Sequence, residues 1–552
     1  MNASVNPAAN EPPKQSVHPD WGGLWPAMRQ EAHFGDRVVT CFAERPKCLH
    51  ALLEQAVQRN PDGDALVCGA QRLSYRALLD QSSRLAAGLA ARGVKAGERV
   101  ALLLGNRIEF VLTLFAATRL GAITVPLSTR EQTPGLAYML DHCAATLLVH
   151  EADLGAILPA GSDLPALRHR VSISTCAGSE PFGALLAHGD GPAPAAVQEE
   201  DTAAILYTSG TTGRPKGAML THLGVVHSSL HYQIAMGLGP DDCSIAAVPL
   251  SHVTGLVALV TTMVRAAAKL VIMPAFKAAE FLPLAARERM THTLMVPAMY
   301  KLCLLQPDVE RHDLSAWRIG AYGGAPMPLA TITALAARTP RLVLMNCYGS
   351  TETTSPATLM PTGQTAAHGD TVGAPLGCAE LRAMDDDGRE LAPGALGEIW
   401  IKGPMVVPGY WNNAQATAAN FSGGFWHSGD IGSVDAQGYV RVVDRKKDMI
   451  NRGGYKIYTI EVENALYAHP AVQECAVVAK PCPVLGERVH AFVALKVPGT
   501  TAEELAAHCR PLLSDYKRPE SWTVTTTPLP RNANGKLMKR ELRDGLLTDG
   551  PK

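Results

Sequence analysis

The run Tyr207-Thr-Ser-Gly-Thr-Thr-Gly-Arg-Pro-Lys216-Gly217 gathers side chains suited to binding anionic oxygen. Thr208, Ser209, Thr211 and Thr212 offer hydroxyl donors, and Arg214 and Lys216 add positive charge. Gly210, Gly213 and Gly217 let the backbone turn sharply and approach a ligand closely. Successive N–H groups in such a turn form a concavity for anionic oxygens, so the run reads as a phosphate cradle. It is not the Gly-x-x-x-x-Gly-Lys-[Ser/Thr] loop of common nucleoside triphosphatases, because Arg214 follows Gly213 and Gly217 follows Lys216.

Other chemically loaded strings follow in order: Gly323-Gly324-Ala325-Pro326, Asn346-Cys-Tyr-Gly-Ser-Thr-Glu352, Trp426-His-Ser-Gly-Asp430, Asp444-Arg-Lys-Lys-Asp448, Arg452-Gly-Gly-Tyr-Lys-Ile457, Tyr516-Lys-Arg-Pro519 and Pro530-Arg-Asn-Ala-Asn-Gly-Lys536. Together with the cradle they make the chain, from about residue 50 to 545, resemble the adenylate-forming enzymes: acyl-CoA synthetases, nonribosomal-peptide adenylation domains and firefly luciferase. It is most similar to an acyl-CoA synthetase. The resemblance implies that Thr208, Ser209, Gly210, Thr211, Thr212, Gly213 and Lys216 hold the phosphates of ATP. Gly323, Gly324, Ala325 and Pro326 would pass beside adenine, and Tyr348 would stack on it. Thr351 would contact the α-phosphate and Glu352 would help hold Mg²⁺, a hard cation that prefers carboxylate and phosphate oxygens. Asp430 would accept both ribose hydroxyls, as an ionised carboxylate can, and Arg445 would also bind the ribose. Lys447 would be the hinge, Gly453 and Gly454 would line the CoA channel, and Lys536 would be the near-terminal catalytic lysine. One departure is Thr459, which stands where many relatives carry proline.

The reaction so implied is a two-step activation of a small-molecule carboxylic acid, using ATP, Mg²⁺ and CoA. The acid's carboxylate displaces pyrophosphate to give an acyl-adenylate, then CoA thiolate displaces AMP. His252, in Pro249-Leu-Ser-His-Val-Thr-Gly-Leu256, resembles the histidine that gates the acyl channel. Val253, Gly255, Leu256, Tyr322, Gly349 and Ser350 are the expected acyl pocket. That segment offers no aspartate for a substrate ammonium, and the pocket no basic residue for a second carboxylate. An uncharged fatty or aryl acid is therefore expected. Loading of a carrier protein instead of free CoA is the alternative. A catalytically silent nucleotide-binding protein would not need Glu352 and Lys536 together.

The elements that must position these residues read as α/β. Apolar runs at Val100 to Leu104, Ile123 to Leu127 and Thr146 to His150 alternate with helical spacing at Leu49 to Arg59, Tyr75 to Ala91 and about Arg107 to Leu120, the last with Asn106 placed to cap it. Buried strands alternating with helices indicate parallel sheet covered on both faces. Gly161 to Glu200 reads as a surface connection. A β-rich part begins near Gly377, and a small mobile α+β domain closes the chain. The expected division is an N-terminal extension over 1–46, disordered at its start, a large adenylate-forming domain over 47–444, and a lid domain over 445–552.

Composition excludes several other classes. The formal charge of −1 offers no electrostatic attraction to nucleic acid. The most apolar stretch, Val253 to Met273, is broken by Arg265 and Lys269, so no membrane span is expected. Twelve cysteines without a Cys-x-x-Cys pair imply neither a zinc site nor a disulfide framework, and a reduced cytoplasmic enzyme is expected. A homodimer is left open.

Overall fold

The structure is a computed structural model describing residues 21–208, 214–325, 327–531 and 537–548. Two large sheets carry most of the first two-thirds of the chain. In the first, Ile123–Pro126, Arg99–Leu103, Ala145–His150 and His169–Ser172 run parallel, and Thr202–Thr208 joins them alongside Ile123–Pro126. In the second, Asp64–Cys68, Lys269–Ile272, Cys243–Ala246, His292–Met295, Ile319–Gly323 and Val343–Tyr348 run parallel, with antiparallel strands only at the edges. Their continuous burial explains the apolar runs seen in the sequence.

Helices form where apolar residues recur every three or four positions. Leu49–Arg59 buries Leu49, Leu52, Leu53 and Ala56; Tyr75–Ala91 buries Tyr75, Leu78, Leu85 and Leu89, with Ser74 capping the Ala77 N–H. Ile108–Arg119 and His222–Ala235 are buried on nearly every face, as helices enclosed by other elements must be.

Two expectations need correction. Asn106 does not cap the helix that follows it; Arg107 occupies that position without a side-chain bond. Its amide instead donates to the carbonyls of Val248 (2.9 Å) and Met273 (3.0 Å) and accepts the Leu250 N–H at 2.8 Å. It thus stitches the end of a strand of one sheet to the strand ends of the other. Gly161 to Glu200 is not simply a connection, since it supplies the edge strands His169–Ser172 and Glu180–Pro181 and the helix Gly183–Leu186. The extension is built in from residue 21: Met28–His33 and Arg37–Phe42 form a hairpin, Trp21 donates to the Pro375 carbonyl at 2.9 Å, and Arg45 bridges Glu31 and Glu199. The expected disorder of residues 1–20 falls outside the described residues.

Beyond the parallel sheets, Glu380–Met384, Gly397–Lys402, Phe425–Val434 and Val440–Arg445 form an antiparallel sheet. The main apolar core ends at Val440, and a separate core begins at Ile450. That second core lies between the sheet of Ile450–Arg452, Tyr455–Ile457, Val472–Cys482, Gly486–Leu495 and Ser521–Thr525 and the helices Thr459–Tyr467 and Ala502–Cys509.

Candidate active site

The arms of the phosphate-cradle run are antiparallel strands, Thr202–Thr208 and Lys216–Thr221, with Thr208 opposite Lys216. Ser209, Gly210, Thr211, Thr212 and Gly213 lie outside the described residues, as do Pro326 and Lys536. The roots of the run are held by side chains that motif reading missed. Tyr138 donates its hydroxyl to the Pro215 carbonyl at 3.2 Å, and the Arg214 guanidinium lies over the Tyr138 ring. Tyr207 donates to the Met139 carbonyl at 3.1 Å and meets His142 Nδ1 at 2.8 Å. Thr208 turns its hydroxyl toward the Lys216 carbonyl at 3.4 Å.

Two clusters form, the first at the root of this hairpin and the second within electrostatic reach of it through Arg445 and Glu352. In the first, the Glu352 carboxylate accepts the Ser350 hydroxyl at 2.7 Å and the Tyr410 hydroxyl at 2.9 Å. The Lys216 ammonium lies 4.3 Å from the centre of the Tyr410 ring. Burial pulls Lys216 below its ordinary pKa, and Glu352 pulls the other way. Tyr410 is the main residue missed in the sequence. Its segment pairs with the cradle strand through an Ala218–Tyr410 bridge, and Trp411 donates its N–H to the Gly217 carbonyl at 2.7 Å. The only signal was the string Pro408-Gly-Tyr-Trp411, which carries no chemistry until it is placed there. Thr351 stands half-buried between Ser350 and Glu352.

In the second cluster, Tyr348 at the end of its strand donates its hydroxyl to Asp430 at 2.7 Å. Arg445 Nε pairs with the other Asp430 oxygen at 2.8 Å, across a register that sets Asp430 opposite Arg445. Burial, reinforced by Asp430, pushes the Tyr348 phenol well up, so the hydroxyl stays a donor. On the neighbouring strand Gly323 leaves no room for a side chain, because a Cβ would stand 2.4 Å from the Cys347 carbonyl oxygen. Gly324 has φ +78°, which glycine adopts without strain, and exposed Ala325 follows it.

The remaining expected residues are placed as follows. His252 is exposed, and its Nδ1 accepts the Thr254 N–H at 3.3 Å where the π-helical turn Thr254–Thr261 begins. Val253, Leu256 and Tyr322 are buried, and burial pushes the Tyr322 phenol up to about 12. Gly255 and Gly349 are explained by packing within their own loops: a Cβ on Gly255 would meet the Pro249 oxygen at 2.2 Å, and one on Gly349 the Pro356 Cα at 3.1 Å. Lys447 is exposed in the turn after Val440–Arg445. Gly453 and Gly454, with φ +57° and +90°, form the tight turn between Arg452 and Tyr455, and two positive φ values in a two-residue hairpin account for both glycines.

A carboxylate held at each oxygen by a hydroxyl, beside a half-buried ammonium, has acceptor capacity left for a hard cation, so Glu352 fits Mg²⁺. Two doubly covered parallel sheets, a hydroxyl- and glycine-rich hairpin at their edge and a separately packed terminal lobe define a nucleotide-activating enzyme. A family model described as AMP-binding enzyme matches residues 53–411, and one described as AMP-binding enzyme C-terminal domain matches 461–536. The chain belongs to this family of adenylate-forming enzymes. It is 36% identical over 489 residues to a feruloyl-CoA synthase of Amycolatopsis, covering 88% of this chain and 96% of that one. Among solved structures it is similar to the anthranilate CoA ligase AuaEII in complex with anthranoyl-AMP, with TM-score 0.84, 27% identity, and coverage of 92% of this chain and 98% of that one. It is also similar to o-succinylbenzoate coenzyme A synthetase from Bacillus subtilis in complex with ATP and magnesium ion, with TM-score 0.79, 29% identity, and coverage of 90% and 99%.

Proposed function

We propose that this chain is an AMP-forming carboxylate–CoA ligase that activates an apolar fatty or aryl acid with ATP and passes the acyl group to CoA. The observation that carries this reading is the closeness of the two clusters: Lys216, Glu352 and Tyr410 lie at the root of the cradle hairpin, and Arg445 of the Tyr348–Asp430–Arg445 cluster feels the charge of Glu352. The first set offers a cation and an oriented carboxylate where phosphates would lie. The second offers a carboxylate with an aromatic face beside it, as a nucleoside requires. Relatives named as feruloyl-CoA synthase and anthranilate CoA ligase support an aryl acid within that class.

The difficulty of the first step is bringing an anionic acid onto an anionic phosphate. Lys216 and the cradle donors would spread positive potential along the phosphates, and Lys536 would meet charge as it develops in the transition state. Glu352 would hold Mg²⁺, which when bound supplies charge neutralisation at the phosphate oxygens. Asp430, aimed by Arg445 and Tyr348, would fix the ribose. Thr351 would contact the α-phosphate, and His252 would stand at the mouth of the acyl channel. Gly453 and Gly454 would admit CoA once the lobe beyond residue 444 turns about Lys447. The twelve cysteines are all free, which suits a reduced cytoplasmic setting.

Purified protein supplied with ATP, Mg²⁺, CoA and a panel of acids should release pyrophosphate on adding an aryl or fatty acid, and AMP only when CoA follows. Strong preference for malonate or an amino acid would overturn the substrate reading. AMP release that ignores CoA and needs a carrier protein would favour the other acceptor. Lys536→Ala should lose adenylation, by about 10²–10³-fold, while still making thioester from supplied acyl-adenylate.

A further inference from the structure

The two apolar cores stop short of one another, at Val440 and Ile450. What joins the lobes between them is polar. Asp444 and Arg445 are neighbours on one strand and so face opposite sides. Arg445 reaches Asp430 in the nucleotide cluster. Asp444, only 2% exposed, faces the first helix of the terminal lobe, Thr459–Tyr467.

Thr459 is fully buried at that helix's first position, and it meets Asp444 twice. Its N–H donates to Asp444 Oδ2, and its hydroxyl donates to Asp444 Oδ1 at 3.0 Å. The same hydroxyl accepts from the Lys539 ammonium at 2.8 Å. Lys539 opens the terminal helix Lys539–Thr548 and pairs with Glu463 at 2.7 Å. Glu463 is held in turn by the Val477 N–H at 2.8 Å. The threonine hydroxyl therefore uses its one proton on the large lobe and a lone pair on the terminal helix. Burial raises the pKa of both Asp444 and Glu463, and Lys539 opposes the rise at each. A junction of this kind is tight only while every member is satisfied. A proline at 459 could make neither bond to Asp444.

We propose that Thr459 is a positioning residue for the ligase reaction: by tying Asp444 to Lys539 and Glu463, it sets how the terminal lobe stands against the strand carrying Arg445. The inference rests on the ligase reading above, in which the terminal lobe takes part in both half-reactions. Thr459 touches no reactant and acts through Asp444.

The test compares the full chain with Thr459→Val, Thr459→Pro and Thr459→Ser. Two rates are read: acid-dependent exchange of labelled pyrophosphate into ATP, and CoA-dependent AMP release from synthetic acyl-adenylate. Valine and proline should move the ratio of these rates about tenfold, in the same direction, as expected from losing a hydrogen bond to a charged group. Serine, which keeps both donors, should stay within twofold of the unaltered chain. Should the proline variant fail to fold, the near-isosteric valine variant decides. A ratio unmoved by valine, or an equal fall in both rates, overturns the proposal and leaves the ligase reading standing. No exchange with any acid in the unaltered chain removes both.

Discussion

Replacing Tyr410 by phenylalanine would delete one oxygen beside Glu352 and leave the ring in place. Tyr410 is 3% exposed and Glu352 7%, so water cannot readily take over the 2.9 Å bond between them. Burial and the neighbouring carboxylate push the phenol far up, so the hydroxyl is a donor at any working pH. A hydrogen bond to a charged group is worth about 1.5–3 kcal/mol. If Glu352 must hold its place for nucleotide and Mg²⁺, that loss slows adenylation by about 10- to 150-fold. The Lys216 ammonium keeps its attraction to the ring face, and Ser350 still holds the other carboxylate oxygen. The effect should therefore belong to Glu352. Acid-dependent pyrophosphate exchange, measured over a range of Mg²⁺ concentrations, should fall and shift toward higher Mg²⁺. Exchange within threefold of the unaltered protein, with the same Mg²⁺ dependence, would refute the idea that Tyr410 orients Glu352 for the nucleotide.

Asn106→Ala strands the Leu250 N–H and the carbonyls of Val248 and Met273. At about 1–3 kcal/mol for each buried group left unpaired, a total near 3–9 kcal/mol should lower the urea midpoint of the large lobe; an unchanged midpoint would contradict the stitching role. Gly323→Ala drives a Cβ to 2.4 Å from the Cys347 oxygen, an overpacking worth about 1–3 kcal/mol, and should raise the KM for ATP more than that for the acid. Acid should loosen the packing beneath the N-terminal hairpin. Burial pushes His227 down to about 3 and His231 well below its ordinary value, with Arg45 lowering His227 and Glu199 and Glu31 raising it. Their Nε2 atoms accept the N–H groups of Phe42 and Cys378. The folded state thus binds fewer protons than the unfolded one below about pH 6.5, and stability falls as pH drops from there toward about 3. The slope approaches 1.4 kcal/mol per pH unit for each histidine, and His227→Gln should flatten a plot of urea midpoint against pH.

Much of this molecule was legible in the order of its residues. The helices Leu49–Arg59 and Tyr75–Ala91 stand where apolar spacing places them, because a helix buried along one stripe must repeat every three or four residues. The parallel sheets follow from short, continuously apolar strands separated by helices, and the family from motifs whose order along the chain few unrelated sequences share. Harder to read was every residue whose partner lies far away in sequence. Asn106 looked like a cap because Asn before a helix usually is one, yet its bonds go to residues more than 140 positions downstream. Tyr410 carried no chemical signal in the sequence, and only pairing with the cradle strand brought it over Lys216 and against Glu352. Thr459 was a mere departure from proline, and only the packed junction gives its hydroxyl two partners. Local spacing determines which segments become helix or strand, since that depends on neighbours a few residues apart. Which side chains share a hydrogen bond depends on how distant segments are brought together, and the fold decided that.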